Sequence, residues 1–132
     1  MTLHFVIALA PVTKKNSQQI VRLGKRYSIV PSKQYKAYEK AAMLFIPTNT
    51  YSGITTPVTV QALFYMPTRR RVDLTNLLEA LDDTLVRAGL LADDNCRIIA
   101  SHDGSRVLYD KEHPRTEVTL RSYRGVMPWA EK

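Results

Sequence analysis

A chain of 132 residues has the length of one domain and can hide roughly two-thirds of its unfolded surface without disulfide or metal staples. Its 45% apolar and 23% charged residues are ordinary for a globular protein. The single cysteine, Cys96, excludes an intrachain disulfide and agrees with the reducing cytoplasm, and no apolar run approaches the ~18 residues that would cross a bilayer.

Leu3 to Leu9 is apolar and β-branched and reads as a strand ending before Pro11. A polar loop, Thr13 to Ser17, follows. Ile20–Leu23 and Arg26–Val30 flank Gly24-Lys25 and read as a hairpin, the glycine supplying the turn. Pro31 breaks it, and Ser32 is the expected N-cap of a helix in which Tyr35, Tyr38, Ala42 and Phe45 recur at helical spacing up to Pro47. Asn49 to Pro57 is a loop, and Val58 to Met66 is a long strand closed by Pro67. A second helix is expected from Leu74 to Ala88. Leu77, Leu78, Leu81 and Leu85 form its apolar stripe, and Gly89 ends it. Arg97–Ala100 and Arg115–Tyr123 are the last two strands, joined by polar residues around Asp103-Gly104-Ser105. The order predicts an α+β fold: one domain over 1–124, a mixed sheet packed with at least two helices, and a C-terminal tail over 125–132.

The formal charge of +7 and a pI near 9.7 create a field that attracts polyanions. No stretch reads as a basic amphipathic helix of the membrane-surface kind, so nucleic acid is the expected partner. Against that background the acids are unevenly spread. Six of the twelve carboxylates, Asp73, Glu79, Asp82, Asp83, Asp93 and Asp94, fall between positions 73 and 94, directly after Arg69-Arg70-Arg71. Thr75, Glu79 and Asp82 share a face of the second helix, opposite its leucines, with Asn76 and Asp83 alongside. The short connection after Gly89 allows Asp73 to converge with Asp93 or Asp94. Mg²⁺ takes oxygen ligands, commonly one or two carboxylates plus waters and a substrate phosphate, and in phosphodiester cleavage it activates water and neutralises developing charge. Taken singly the same residues also suit a helix cap, a solvated face and an Asp-Asp-Asn turn.

Asp73-Leu74-Thr75-Asn76-Leu77, then Asp83-x-Leu85-x-x-Ala88-Gly89, then Asp93-Asp94, preceded by Arg69-Arg70-Arg71, resembles the signature of the RusA family of Holliday junction resolvases. Pro11-x-x-Lys14-Lys15-Asn16-Ser17 is similar to that family's N-terminal loop. The resemblance implies a homodimeric endodeoxyribonuclease that binds four-way DNA junctions and cuts paired strands with Mg²⁺, or with Mn²⁺ in its place. Its home would be the cytoplasm of a bacterium or of a phage's host. Asp73 and Asp94 match the family's catalytic, metal-binding aspartates, with Asp93 beside Asp94. Asn76 and Asp83 match positions of less defined role. Arg69, Arg70, Arg71, Lys14, Lys15 and Asn16 are the expected DNA contacts.

Two positions depart from that pattern. Thr75 stands where the family has its second motif aspartate, and Glu79 stands where it has a lysine. Glu79, one turn after the gap, can return a carboxylate to the metal, and this makes it a third candidate ligand. The missing cation then has to come from Arg69, Arg70, Arg71 or Lys14. The alternative is a junction-binding protein of the same fold with a degenerate active site. His4 is expected to pack within its strand, and the tyrosines within the core. His102 and His113 have no partner at zinc spacing, and Cys96 has no histidine motif that would make it a nucleophile.

Overall fold

The structure, a computed structural model, describes residues 1–14, 18–31 and 33–129. Its elements are β1 (Thr2–Ile7), β2 (Gln18–Leu23), β3 (Arg26–Pro31), α1 (Lys33–Ala42), β4 (Val58–Met66), α2 (Leu74–Arg87), β5 (Ile99–Ser101), β6 (Arg106–Tyr109) and β7 (Arg115–Ser122). Together they make the α+β domain that the sequence predicts, with a mixed five-stranded sheet, two α-helices and a separate β2–β3 hairpin. Gly24 turns that hairpin at φ +63°. Ser32, the expected cap of α1, lies outside the described residues.

β4 organises the sheet. Val58, Val60, Ala62 and Phe64 are buried and the residues between them half-buried, because successive side chains of a strand point to opposite faces. β7 pairs with β4 antiparallel, Leu120 opposite Val60 and Val118 opposite Ala62. β1 pairs antiparallel with the other side of β7, Phe5 opposite Val118 and Ile7 opposite Thr116. The face so formed packs against Leu77, Leu81 and Leu85 of α2 and against Ala42, Ile46, Leu90 and Leu91. Each buried leucine of that stripe contributes about 1.5–3 kcal/mol relative to exposure. Thr84 also lies on this face, and its hydroxyl donates to the Ala80 carbonyl at 2.8 Å, which satisfies it inside the core.

The far edge of β4 is shared by two short strands, both parallel to it: β5 beside Val58–Thr59 and β6 beside Leu63–Met66. Between them the ladder is broken, and side chains fill the gap. Ser105 Oγ accepts the Ala62 N–H at 3.0 Å, and His102 Nδ1 donates to the Val60 carbonyl at 3.0 Å. The expected Arg97–Ala100 strand is thus displaced to Ile99–Ser101, because Asn95 bends the chain first. Its Oδ1 accepts the Arg97 N–H at 2.9 Å, and its carbonyl accepts the N–H groups of Ile98 and Ile99. β6 is an element that the sequence reading passed over as linker.

Two side chains also correct the expectations. α1 gives way to a 3₁₀ turn over Met43–Phe45. The tighter winding rotates Phe45 off the face of Tyr35 and Ala42, leaving Phe45 38% exposed while Ile46 is buried. His4 is exposed rather than packed. It lies on the sheet face away from Phe5 and Ile7, where its Nδ1 meets Thr119 Oγ1 at 2.9 Å.

Candidate active site

α2 carries the acidic flank. Asp73 is its N-cap by backbone geometry (φ −84°, ψ 122°), yet its carboxylate makes no capping bond. The backbone carbonyl of Asp73 receives the N–H groups of Asn76 and Leu77, while Asn76 Nδ2 donates to Asp73 Oδ2 at 3.3 Å. The exposed carboxylate is therefore held toward the helix flank without being consumed by the cap. Asn76 and Asp83, seven residues apart, stand on the same flank two turns from each other. Glu79 is exposed and precedes Asp83 by one turn, about 6 Å between Cβ atoms.

The segment after α2 is fixed by backbone bonds. Gly89, at φ +84°, ends the helix. Gly53 N–H then donates to the Gly89 carbonyl, Ile54 N–H to Leu90, and Ala92 N–H back to Ile54. With Leu90 and Leu91 buried, Asp93 and Asp94 emerge from a rigid base. Asp93 shapes the turn: its Oδ1 accepts the Asp94 N–H at 2.8 Å and its Oδ2 accepts Asn95 Nδ2 at 3.0 Å, and these bonds hold its carboxyl below the usual range. Asp94 is shifted the other way, upward, by partial burial and by the carboxylates of Asp93 and Asp83.

Asp94 thus converges with Asp83, and the two share a cleft of about 260 Å³ with Asp93, Lys14 and Arg87. Lys14 Nζ sits 2.7 Å from Asp83 Oδ2. Asp73, another expected ligand, is ten residues before Asp83, which puts it about 15 Å away along the helix, and Glu79, the third, does not line the cleft. Among the described residues no three acidic, histidine or cysteine side chains form a metal cluster. The donors present are carboxylate oxygens, the kind that a hard cation takes one or two at a time while keeping its waters. Asp83 with Asp94 therefore fits Mg²⁺ as an open site, and the weight of the cleft falls on Asp83, which the sequence matched only to a family position of less defined role.

A second cleft, of about 490 Å³, opens beside the first and is lined by Pro11, Thr13, Thr68, Arg70, Arg71 and Val72 among others. The consecutive residues Thr13 and Lys14 line one cleft each, so the basic and acidic clefts flank the same short segment. Arg70 and Arg71 are exposed and line the basic cleft. Arg69 instead stacks on Tyr109, its guanidinium carbon 4.5 Å from the ring centroid. Lys15 and Asn16 lie outside the described residues.

One pairing was hidden from sequence reasoning. Asp82, expected on the solvated face, is largely buried, and its Oδ2 lies 2.9 Å from His102 Nε2. The broken edge between β5 and β6 brings His102 over α2, joining helix to sheet one residue from Asp83. Burial raises the Asp82 carboxyl against the pull of His102. Burial lowers His102, but the hydrogen bond and charge of Asp82 and the Val60 carbonyl raise it by more. No sequence spacing signals this contact.

A comparison with curated proteins finds no match. The sequence model of the family described as endodeoxyribonuclease RusA matches residues 9–121, a span that takes in both clefts, the whole of α2 and the Asp93-Asp94 turn. By that match the chain belongs to the RusA endodeoxyribonuclease family.

Proposed function

We propose that this chain is a Mg²⁺-dependent endonuclease that resolves four-way DNA junctions by paired strand cleavage, acting as a homodimer. The observation that carries the reading is the neighbourhood of the two clefts: carboxylates converge at Asp83 and Asp94, and arginines line the adjoining surface. Asp94 and Asp83 would hold the metal, with Glu79 one turn away as a further ligand and Asp73 at the far end of the same flank. Mg²⁺, or Mn²⁺ in its place, supplies an activated water and neutralises charge on the phosphate. Arg70 and Arg71 bind the DNA backbone and set the strand across the cleft. Asp93 keeps Asp94 in place through the turn.

A junction has two equivalent strands to cut. One site per chain of this size cannot reach both, so a C2 pair is needed. Cleavage of a synthetic four-way junction with and without Mg²⁺, against a linear duplex of the same sequence, tests the reading. Paired, metal-dependent nicks in the junction alone are expected, together with a dimer mass in sedimentation at micromolar protein. The absence of a three-ligand cluster among the described residues, together with Thr75 in place of a carboxylate, favours a second reading as a junction-binding protein that does not cut. Retained junction binding with no product in Mg²⁺ or Mn²⁺ selects it.

A further inference from the structure

The ammonium of Lys14 occupies a built seat. On one side it meets Asp83 Oδ2 at 2.7 Å, and on the other it stands 5.9 Å from the ring centroid of Tyr35, a residue only 2% exposed. The Lys14 side chain is 34% exposed and that of Asp83 27%, so this is a partly desolvated pair. Its backbone follows the buried Pro11 and Thr13, so the ammonium can move only within the reach of its own stem. Arg87, the other cation lining the cleft, is engaged with Glu39 at 3.4 Å. Among the described residues it is therefore Lys14 that sits where a divalent cation would meet Asp83.

We propose that Lys14 is an exchangeable counter-ion of the acidic cleft. Its ammonium neutralises Asp83 until a divalent cation takes the Asp83–Asp94 pair, and it is then released to a phosphate oxygen of the bound DNA. The inference rests on the reading of that pair as the metal site. The chemistry suits a lysine. An ammonium is a compact, strongly hydrated point charge on a flexible four-carbon stem, whereas a guanidinium fork grips a carboxylate at two points and leaves it less readily. The sequence leaves the source of a catalytic cation open among four residues. The geometry narrows it, because Arg69 is stacked on Tyr109 and Arg70 and Arg71 line the other cleft.

Exchange makes metal binding and cutting respond in opposite directions, which a merely structural ion pair would not do. Mn²⁺ affinity, followed by electron paramagnetic resonance on the full chain without DNA, should tighten about two- to five-fold in Lys14→Met, the range set by the worth of a partly exposed pair. It should weaken in Lys14→Arg, whose guanidinium leaves the carboxylate less readily, and collapse in Asp94→Asn. Single-turnover cutting of a four-way junction at saturating Mn²⁺ should fall about tenfold or more in Lys14→Met, as expected when a donor to developing phosphate charge is removed. In the unsubstituted chain, the Lys14 ammonium ¹⁵N resonance should be protected from exchange without metal and lose that protection as Mg²⁺ is added, a measurement independent of whether any variant folds. Mn²⁺ affinity unchanged or weaker in Lys14→Met, cutting intact in that variant, or an ammonium signal indifferent to Mg²⁺ would each overturn the role of Lys14 while Asp94→Asn still loses metal. Asp94→Asn binding Mn²⁺ like the parent would overturn the metal reading itself.

Discussion

Glu79 stands on an exposed helical turn and does not line the acidic cleft, whereas Asp94 projects into it from a pinned loop. If both hold the metal, Glu79→Gln and Asp94→Asn should each lower single-turnover cutting by a comparable factor at Mg²⁺ below saturation. If Glu79 is only a solvated helix residue, Glu79→Gln should leave cutting intact and change stability by no more than about 0.5 kcal/mol; equal cutting by parent and Glu79→Gln removes it from the ligand set. His102 makes a different residue-scale prediction. Both of its ring nitrogens face acceptors, the Val60 carbonyl and the Asp82 carboxylate, so the native pair holds a proton firmly and His102 is raised above its ordinary value. A group that binds its proton more tightly when folded stabilises the fold in full below its unfolded value and loses that contribution as the pH climbs through the folded one. His102→Gln should therefore lower the urea midpoint more at about pH 6 than at about pH 9, on either side of the ordinary histidine value. Equal losses at both would mean that the contact acts without its charge.

At the scale of elements, the interrupted edge of the sheet sets where α2 lies. β5 and β6 both run parallel to β4, and the four residues between them replace missing ladder bonds with His102 and Ser105 side chains. Gly104 makes that loop possible at φ +84°. A Cβ there would press on the Gln61 side-chain amide, but that amide ends a flexible side chain, so the backbone conformation is the larger cost. Gly104→Ala should destabilise the protein by about 1–2 kcal/mol, the penalty of a left-handed backbone for a residue with a Cβ. Differential scanning calorimetry checks this, and a variant with an unchanged midpoint would mean that the loop reaches another conformation at no cost. A similar economy governs the end of α2. Gly89 stops the helix, and the backbone bonds to Gly53 and Ile54 fix the strand of chain from which Asp93 and Asp94 project.

Across the whole molecule, a formal charge of +7 coexists with a cleft of three carboxylates. The excess positive charge draws in DNA, while the acids need a cation before a phosphate can settle among them. Replacing Arg69, Arg70 and Arg71 together by Gln should flatten the log–log dependence of junction affinity on salt, by about one unit for each phosphate that is no longer neutralised. Fluorescence anisotropy over a salt series measures it. Since Arg70 and Arg71 line the basic cleft and Arg69 is stacked on Tyr109, a change nearer two than three is expected, and an unchanged slope would turn the triplet away from the DNA.

The local elements were legible in the sequence because their signals are local. The alternation of Val58 to Met66, the leucine stripe of α2, the glycine of the hairpin and the ordered run from Arg69 to Asp94 each lie within a short window, and the family itself follows from that run. The tertiary structure alone decided which carboxylates meet. Lys14 and Asp83 are 69 positions apart and His102 and Asp82 are 20 apart, and no periodicity extends over such separations. β6 was missed because four residues are too few to display an alternation. Its place beside β4 comes from parallel pairing with a strand some forty positions earlier, and that broken edge turns Asp82 inward while Asp83 keeps the flank shared with Lys14 and Asp94. Helical spacing assigns both aspartates to a polar side of α2. What each one faces depends on the chain packed against it, and only the folded molecule brings that chain there.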